Sequence, residues 1–393
     1  MQTTNLPSHP DLNISAFEQM LELKSLTNSY KLYWFAAIFD EIIHGKKEIP
    51  FQDIVTGMIC KCWYSILTYK LNFGKMDQLG KMVQDIYDVY GFDKTMPEND
   101  LKKEISRLLK NKNERLKNDI LISRISEFYK YVPYRMLSVF FRDELKSEKI
   151  SDNQKHSEII KLSQQENRSL YKIDIENRKI MIHPLWYEYI RINNPVVKGW
   201  MYHKLIYFLQ VRNPSVPAIP FKLYPPGKRN LTGAKSFFNQ ILKIQNQYDI
   251  YTDELLAENT FSIDHFIPWS FVMHDRLWNL VPTTVSVNSM KSDSLPELDR
   301  YFDRFCRFQY SGYAIAMNNN INKKLMEDYL DVSEDRNILK TVLPEPEFTT
   351  LLKKRIQPLC QIAENSGFRT GFIYEEDTEN ISKVAEPSGE YSP

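Results

Sequence analysis

FSIDHFIPWSFVMHDRLWNLVPTTVSVNSMKSDSLP, residues 261–296, is the stretch on which the reading of this chain turns. Its polar residues fall at set offsets between apolar anchors: Asp264-His265, Asp275, Asn279, Asn288 and Lys291-Ser292-Asp293. Ile263 and Phe266 flank the Asp-His pair, and Pro268 bends the chain beyond it. Trp278, Leu280 and Val281 supply a second hydrophobic stripe. Residues 284–293 then enter a helix, with Asn288 and Lys291 three apart on one face. On a strand, neighbouring residues face opposite sides, so Asp264 and His265 need not compete for one ligand.

These residue types suit hydrolysis of a phosphodiester. That reaction needs an activated water, neutralised charge on the phosphate and a stabilised leaving oxygen. One hard divalent cation serves the last two needs. An Asp carboxylate and an Asn amide suit Mg²⁺ or Mn²⁺, with water and phosphate filling the remaining positions. A neutral histidine beside them can take the proton from water, since its unperturbed pKa is about 6.5.

The segment resembles the ββα-metal motif of the HNH nuclease family. Its spacing is most similar to the HNH domain of RNA-guided CRISPR effector nucleases: D-H-x-x-P-x-S-F, an Asn fourteen residues after the His, another twenty-three after it, then K-S-D. The resemblance implies that Asp264 and Asn288 hold the metal and that His265 is the general base. It implies that Asn279 braces the loop or positions the His and the scissile phosphate, and that Lys291 contacts phosphate. The last family position is Asn288 rather than a histidine, which favours Mg²⁺ or Mn²⁺ over zinc. The motif covers under a tenth of the chain. Residues 1–225 carry no such resemblance. A second nuclease domain and an arginine-rich bridging helix are not apparent, so the chain by itself does not read as a guide-directed effector.

Around this segment the composition is that of an ordinary soluble protein: 393 residues, 42% hydrophobic, 26% charged. That is enough for two or three domains. The net charge of +1 hides an acidic end. Residues 375–393 hold six acids against Lys383 alone, so the rest of the chain is near +6 and suits a polyanionic partner. No stretch of about 18 uncharged apolar residues appears, and the first ten residues lack a secretory pattern, so no membrane contact is expected. Cys60, Cys62, Cys306 and Cys360 have no disulfide-framework or zinc spacing, and a cytoplasmic location is the simplest expectation.

The expected fold class is α+β, mostly α-helical. Apolar residues at three- and four-residue intervals predict helices through Tyr33–Ile42, from about Pro50 toward Gly74, over Met76 to Tyr90, and across 98–111, 115–131 and 134–147. SLYKIDIENRKIMIH, residues 169–183, reads as a β-hairpin, with helices at 184–193 and 195–211 after it. Pro214, Pro217, Pro220, Pro225 and Pro226 mark a semi-extended linker. The expected organisation is a helical recognition or regulatory module at 1–213, a linker at 214–230, the HNH domain at 231–310, C-terminal helices at 311–374, and a disordered acidic tail at 375–393.

Two basic features are candidate phosphate contacts. Segment 101–150 holds thirteen Lys/Arg against seven Asp/Glu, including Lys110, Lys112 and Arg115, and the linker ends on Lys228 and Arg229. The expected activity is metal-dependent cleavage of nucleic acid, DNA before RNA. By family-level analogy, microbial anti-phage defence is the setting. Two alternatives stand beside it: an RNase, and a subunit whose HNH domain is subordinate to another protein. A partner or a second copy would then dock on the N-terminal helices.

Overall fold

A computed structural model of the chain describes residues 6–110, 115–146, 151–227, 229–333 and 336–375. The acidic tail beyond Glu375 lies outside the described residues. The fold is α+β and mostly helical, and it divides into two compact units, Met1–Gly227 and Lys228–Pro393.

Unit 1 is built from helices α1 (Ile14–Gln19), α2 (Tyr30–Ile43), α3 (Phe51–Leu67), α4 (Gln78–Tyr90), α5 (Glu98–Lys110), α6 (Arg115–Tyr129), α7 (Val132–Leu137), α8 (Asp152–Ser163), α9 (Pro184–Ile192) and α10 (Asn194–Arg212). Helix α2 is the core element. Ten of its fourteen residues are buried, with Trp34, Phe35, Ile38 and Phe39 facing all round, as befits a helix surrounded by others. Helix α3 lies close enough on it that a Cβ at Gly57 would sit 2.9 Å from the Ala37 Cβ. The hairpin expected at 169–183 is present as β2 (Tyr171–Asp174) and β3 (Lys179–Ile182). A third strand, β1 (Glu48–Pro50), joins the β3 edge antiparallel, with Ile49 opposite Ile180. Three residues ending in proline give no alternation to read, which hid it in the sequence. As an edge strand it can afford Pro50, and that residue also caps α3.

The proline-rich stretch packs rather than spans. Residues Ile219–Leu223 form a 3₁₀ turn with Ile219, Lys222 and Leu223 buried, and Ser65 Oγ donates to the Lys222 carbonyl at 2.9 Å. The division between the units falls after it, at Gly227.

Unit 2 places a two-stranded ladder under helices. Helix α11 (Thr232–Ile244) leads, by a turn at 246–256, to β4 (Ser262–His265). Strand β4 pairs antiparallel with β5 (Leu280–Thr283), with Asp264 opposite Val281 and His265 opposite Leu280. A short helix, α12 (Trp269–Val272), sits in the excursion between them, and α13 (Val285–Lys291) follows β5 at once, capped by the Thr284 side chain on Val287 N. The long helices α14 (Leu298–Asn318) and α16 (Glu345–Asn365) close the core, with the short α15 (Lys323–Met326) between them in sequence. Phe266 stacks on Phe305 of α14 at 4.0 Å, and Gln309 of the same helix donates to the carbonyls of Leu277 and Leu280. The ladder is thereby fixed from behind, while its other side chains are left to form a site.

Candidate active site

Strand β4 turns Asp264 and His265 to opposite faces, and each meets a different set of partners. Asp264 is 2% exposed. Its Oδ1 accepts from Lys291 Nζ at 3.1 Å and its Oδ2 from the Tyr251 hydroxyl at 2.7 Å. Lys291, at the end of α13, is fully buried and also donates to the His265 carbonyl at 2.7 Å. Burial, reinforced by the Asp264 charge, pushes the Tyr251 phenol well above its ordinary value, so it remains a donor. Asp249 anchors this turn. It accepts from Tyr251 N and from Thr283 Oγ1, tying the 246–256 turn to the end of β5.

His265 is 4% exposed and held at both ring nitrogens. Arg229 Nη1 lies 3.2 Å from Nδ1, and Asp275 Oδ1 lies 2.8 Å from Nε2. A guanidinium can only donate, so Nδ1 carries the lone pair and Nε2 the proton given to Asp275. Burial, above all, lowers the His265 pKa from its ordinary value; the Asp275 hydrogen bond raises it and the Arg229 charge lowers it further. The ring is thus neutral near pH 7, oriented by a carboxylate, with its basic nitrogen on the side of an exposed arginine. Arg229 is steadied over the Trp269 ring at 5.4 Å.

Asn288 and Asn279 differ in what their amides do. Asn288, half-buried on α13, donates from Nδ2 to Ser262 Oγ at 2.7 Å and to the Ile263 carbonyl at 3.2 Å, and none of these bonds uses its oxygen. Asn279 is fully buried, and both ends of its amide are used on one residue: Oδ1 accepts from Ile267 N at 2.8 Å and Nδ2 donates to Ile267 O at 2.9 Å. It closes the neck of the excursion that carries α12 and Asp275.

The donor chemistry fits a hard divalent cation. Asp264 offers a carboxylate and Asn288 an amide oxygen, and both are oxygen ligands of the kind Mg²⁺ and Mn²⁺ take. The charge of the buried carboxylate is balanced by Lys291 on Oδ1, and Oδ2 is held by the Tyr251 hydroxyl. Among the described residues no group of three or more His, Cys, Asp or Glu could hold a metal ion.

Of the residues singled out in the sequence, the structure brings Asp264, His265, Asn279, Asn288, Lys291 and Arg229 into one region of unit 2. Lys228 and Lys112 lie outside the described residues, and the side chains of Lys110 and Arg115 outside the described side chains. Their neighbours on α5 are occupied: Lys102 pairs with the buried Glu41, Lys103 with Asp100 at 3.1 Å and Arg107 with Glu104 at 2.7 Å. Three participants were not legible as such. Tyr251 lies outside the motif, in a turn with no distinguishing spacing. Asp275 stands next to His274 and reads as a turn acid. Arg229 was read as a phosphate contact at the end of the linker, but nothing in the sequence pairs it with a histidine 36 residues on.

Residues 236–297 match the family model described as HNH endonuclease. This match supports nuclease activity and a nucleic-acid substrate for the segment that carries the site. No curated protein and no solved structure matches the chain. No helix among the described residues is long and apolar enough to cross a membrane.

Proposed function

We propose that the chain is a metal-dependent endonuclease that hydrolyses phosphodiester bonds, in DNA before RNA, as part of microbial defence. The observation that carries the reading is the setting of His265: buried, with Nε2 against Asp275 Oδ1 and Nδ1 against Arg229, and next in sequence to Asp264 on the same strand.

In this reading His265 Nδ1 takes the proton from the attacking water. Asp275 keeps the ring in that tautomer and stabilises the imidazolium that forms. Arg229 leaves Nδ1 for the incoming phosphate, to which its planar donors are suited. Asp264 and Asn288 hold the Mg²⁺ or Mn²⁺. When bound, that cation supplies the charge that offsets developing negative charge on the phosphate and the leaving oxygen. Tyr251 and Lys291 fix the carboxylate, and Asn279 fixes the loop that delivers Asp275.

A second reading, activity subordinate to a partner, has one observation in its favour. In the isolated chain Arg229 lies against the base nitrogen and Lys291 against the metal-binding carboxylate. Engagement of nucleic acid or of another protein would free them.

The test is purified protein with supercoiled plasmid, single-stranded DNA and RNA, in Mg²⁺, Mn²⁺ or EDTA, beside His265→Ala. Metal-dependent cleavage by wild type alone is expected. Equal cleavage by His265→Ala would overturn the base assignment.

A further inference from the structure

Unit 1 contains a cavity of about 360 Å³ whose chemistry the nuclease reading does not use. Small-ligand pockets span roughly 300–1,000 Å³, so it is large enough to hold a compact molecule. Its walls are of two kinds. Tyr30, Phe128 and Tyr131 present aromatic surface, with Tyr30 and Phe128 edge to face at 4.9 Å. Lys31 and Arg135 present positive charge, and Arg142 is near enough to act on Lys31.

Among the described residues no acid forms an ion pair with Lys31, Arg135 or Arg142. The acid in the wall, Glu127, is exposed and given to Lys130 at 2.6 Å. Asp77, near Tyr30, is buried and accepts from the amides of Ser29 and Leu79. Lys31 is largely withdrawn from water, and burial together with the two arginines brings its pKa down to about 8. An unpaired, partly buried ammonium costs stability, and a bound anion would recover it. Arg135 is meanwhile laid over the Tyr131 ring at 4.9 Å, which aligns a planar donor group along the aromatic wall.

A simple inorganic anion would account for the cations but not for three aromatic walls. A neutral aromatic would account for the walls but not for the charge. We propose that this cavity binds a nucleoside phosphate, with the phosphate taken by Lys31 and Arg135 and the base set against Tyr30, Phe128 and Tyr131. The same chemistry is offered by a free mononucleotide and by the phosphorylated end of a nucleic-acid strand. The inference stands on unit 1 alone and does not depend on the nuclease reading.

Isothermal titration of the full chain, with EDTA present so that no strand is cut, tests it. The probes are AMP, GMP, adenosine, inorganic phosphate, and a DNA trinucleotide with a 5′-phosphate or a 5′-hydroxyl. Saturable binding of AMP or GMP, or of the 5′-phosphorylated trinucleotide, is expected. Adenosine, inorganic phosphate and the 5′-hydroxyl strand should bind at least about tenfold more weakly. Tighter binding of the phosphorylated strand than of AMP assigns the site to strand ends, and the reverse assigns it to a free nucleotide. Lys31→Met and Arg135→Gln should each weaken binding by about tenfold or more, and Tyr131→Ala should weaken AMP but not inorganic phosphate. The proposal is overturned if no nucleoside phosphate binds saturably, or if phosphate alone binds as well as AMP. It is equally overturned if Arg135→Gln, at an exposed position and with its melting temperature checked alongside, binds as wild type does.

Discussion

The Lys291 ammonium lies 3.1 Å from Asp264 Oδ1, with one side chain fully out of water and the other nearly so. A pair this deeply placed is costly to break from one side, because the remaining charge has no solvent to turn to. Lys291→Met should therefore destabilise the protein by about 3–5 kcal/mol in EDTA. If Asp264 and Asn288 hold a divalent cation, Mn²⁺ should restore much of the loss and raise the melting temperature of the variant more than that of wild type. Equal Mn²⁺ shifts in both proteins would remove the assignment of Asp264 as a ligand.

The Asp275–His265 bond predicts a graded series. His265→Ala should lower kcat by about 10²–10⁴-fold, the usual range for a general base. Asp275→Asn keeps an acceptor but removes the charge, and should lower kcat by about tenfold or more with KM little changed. Full activity in Asp275→Asn would reduce that carboxylate to a structural contact.

Arg229 should behave differently from both. Arg229→Gln is expected to weaken nucleic-acid binding and to shallow its salt dependence by about one unit of slope, since one phosphate contact is lost. An unchanged slope, measured by anisotropy across a salt series, would place Arg229 away from the phosphate.

His274 supplies a pH prediction. Burial, above all, lowers its pKa to about 4; the Asp331 charge opposes the shift, and Arg276, His265 and Arg355 add to it. A histidine kept neutral by the fold contributes stability that is whole above its unfolded value of about 6.5 and is lost as pH falls through its folded value. The melting temperature should decline between about pH 6.5 and 4, and His274→Phe should decline less over that window. Parallel curves for the two proteins would exclude His274 as a source of the acid sensitivity.

In unit 1, Gly57→Ala forces a methyl group to within 2.9 Å of the Ala37 Cβ. The gain in helix propensity is small beside the cost of pushing α2 and α3 apart, so a net loss of about 1–3 kcal/mol is expected. Ala37→Gly in the same protein should recover part of it. A denaturant titration that shows no loss for Gly57→Ala would mean the two helices separate freely.

The two ends of the chain differed in how far they could be read. Helix α2 announced itself because Tyr33, Trp34, Phe35, Ile38, Phe39 and Ile42 recur at helical spacing. The hairpin at 169–183 was visible because β2 and β3 alternate. Strand β1 was not, since its pairing with β3 is a contact across about 130 residues that three residues cannot encode. The site shows the same division. Asp264, His265, Asn279, Asn288 and Lys291 were singled out through spacing within one short segment. Tyr251, Asp275 and the pairing of Arg229 with His265 depend on how loops return to β4, and no local pattern reports that. The resemblance implied a phosphate contact for Lys291, whereas its ammonium is buried on Asp264 and the His265 carbonyl at the end of α13.

Asn279 holds Ile267 by one donor and one acceptor, the same two bonds a paired strand residue would exchange through its backbone. Its side chain therefore extends the β4–β5 ladder by one rung. Aspartate in its place would lose the donor and bury a charge, and glutamine would overreach by a methylene. Among related sequences such a position should be as invariant as the histidine it supports, for reasons of backbone geometry, and conservation by itself would not tell the two apart.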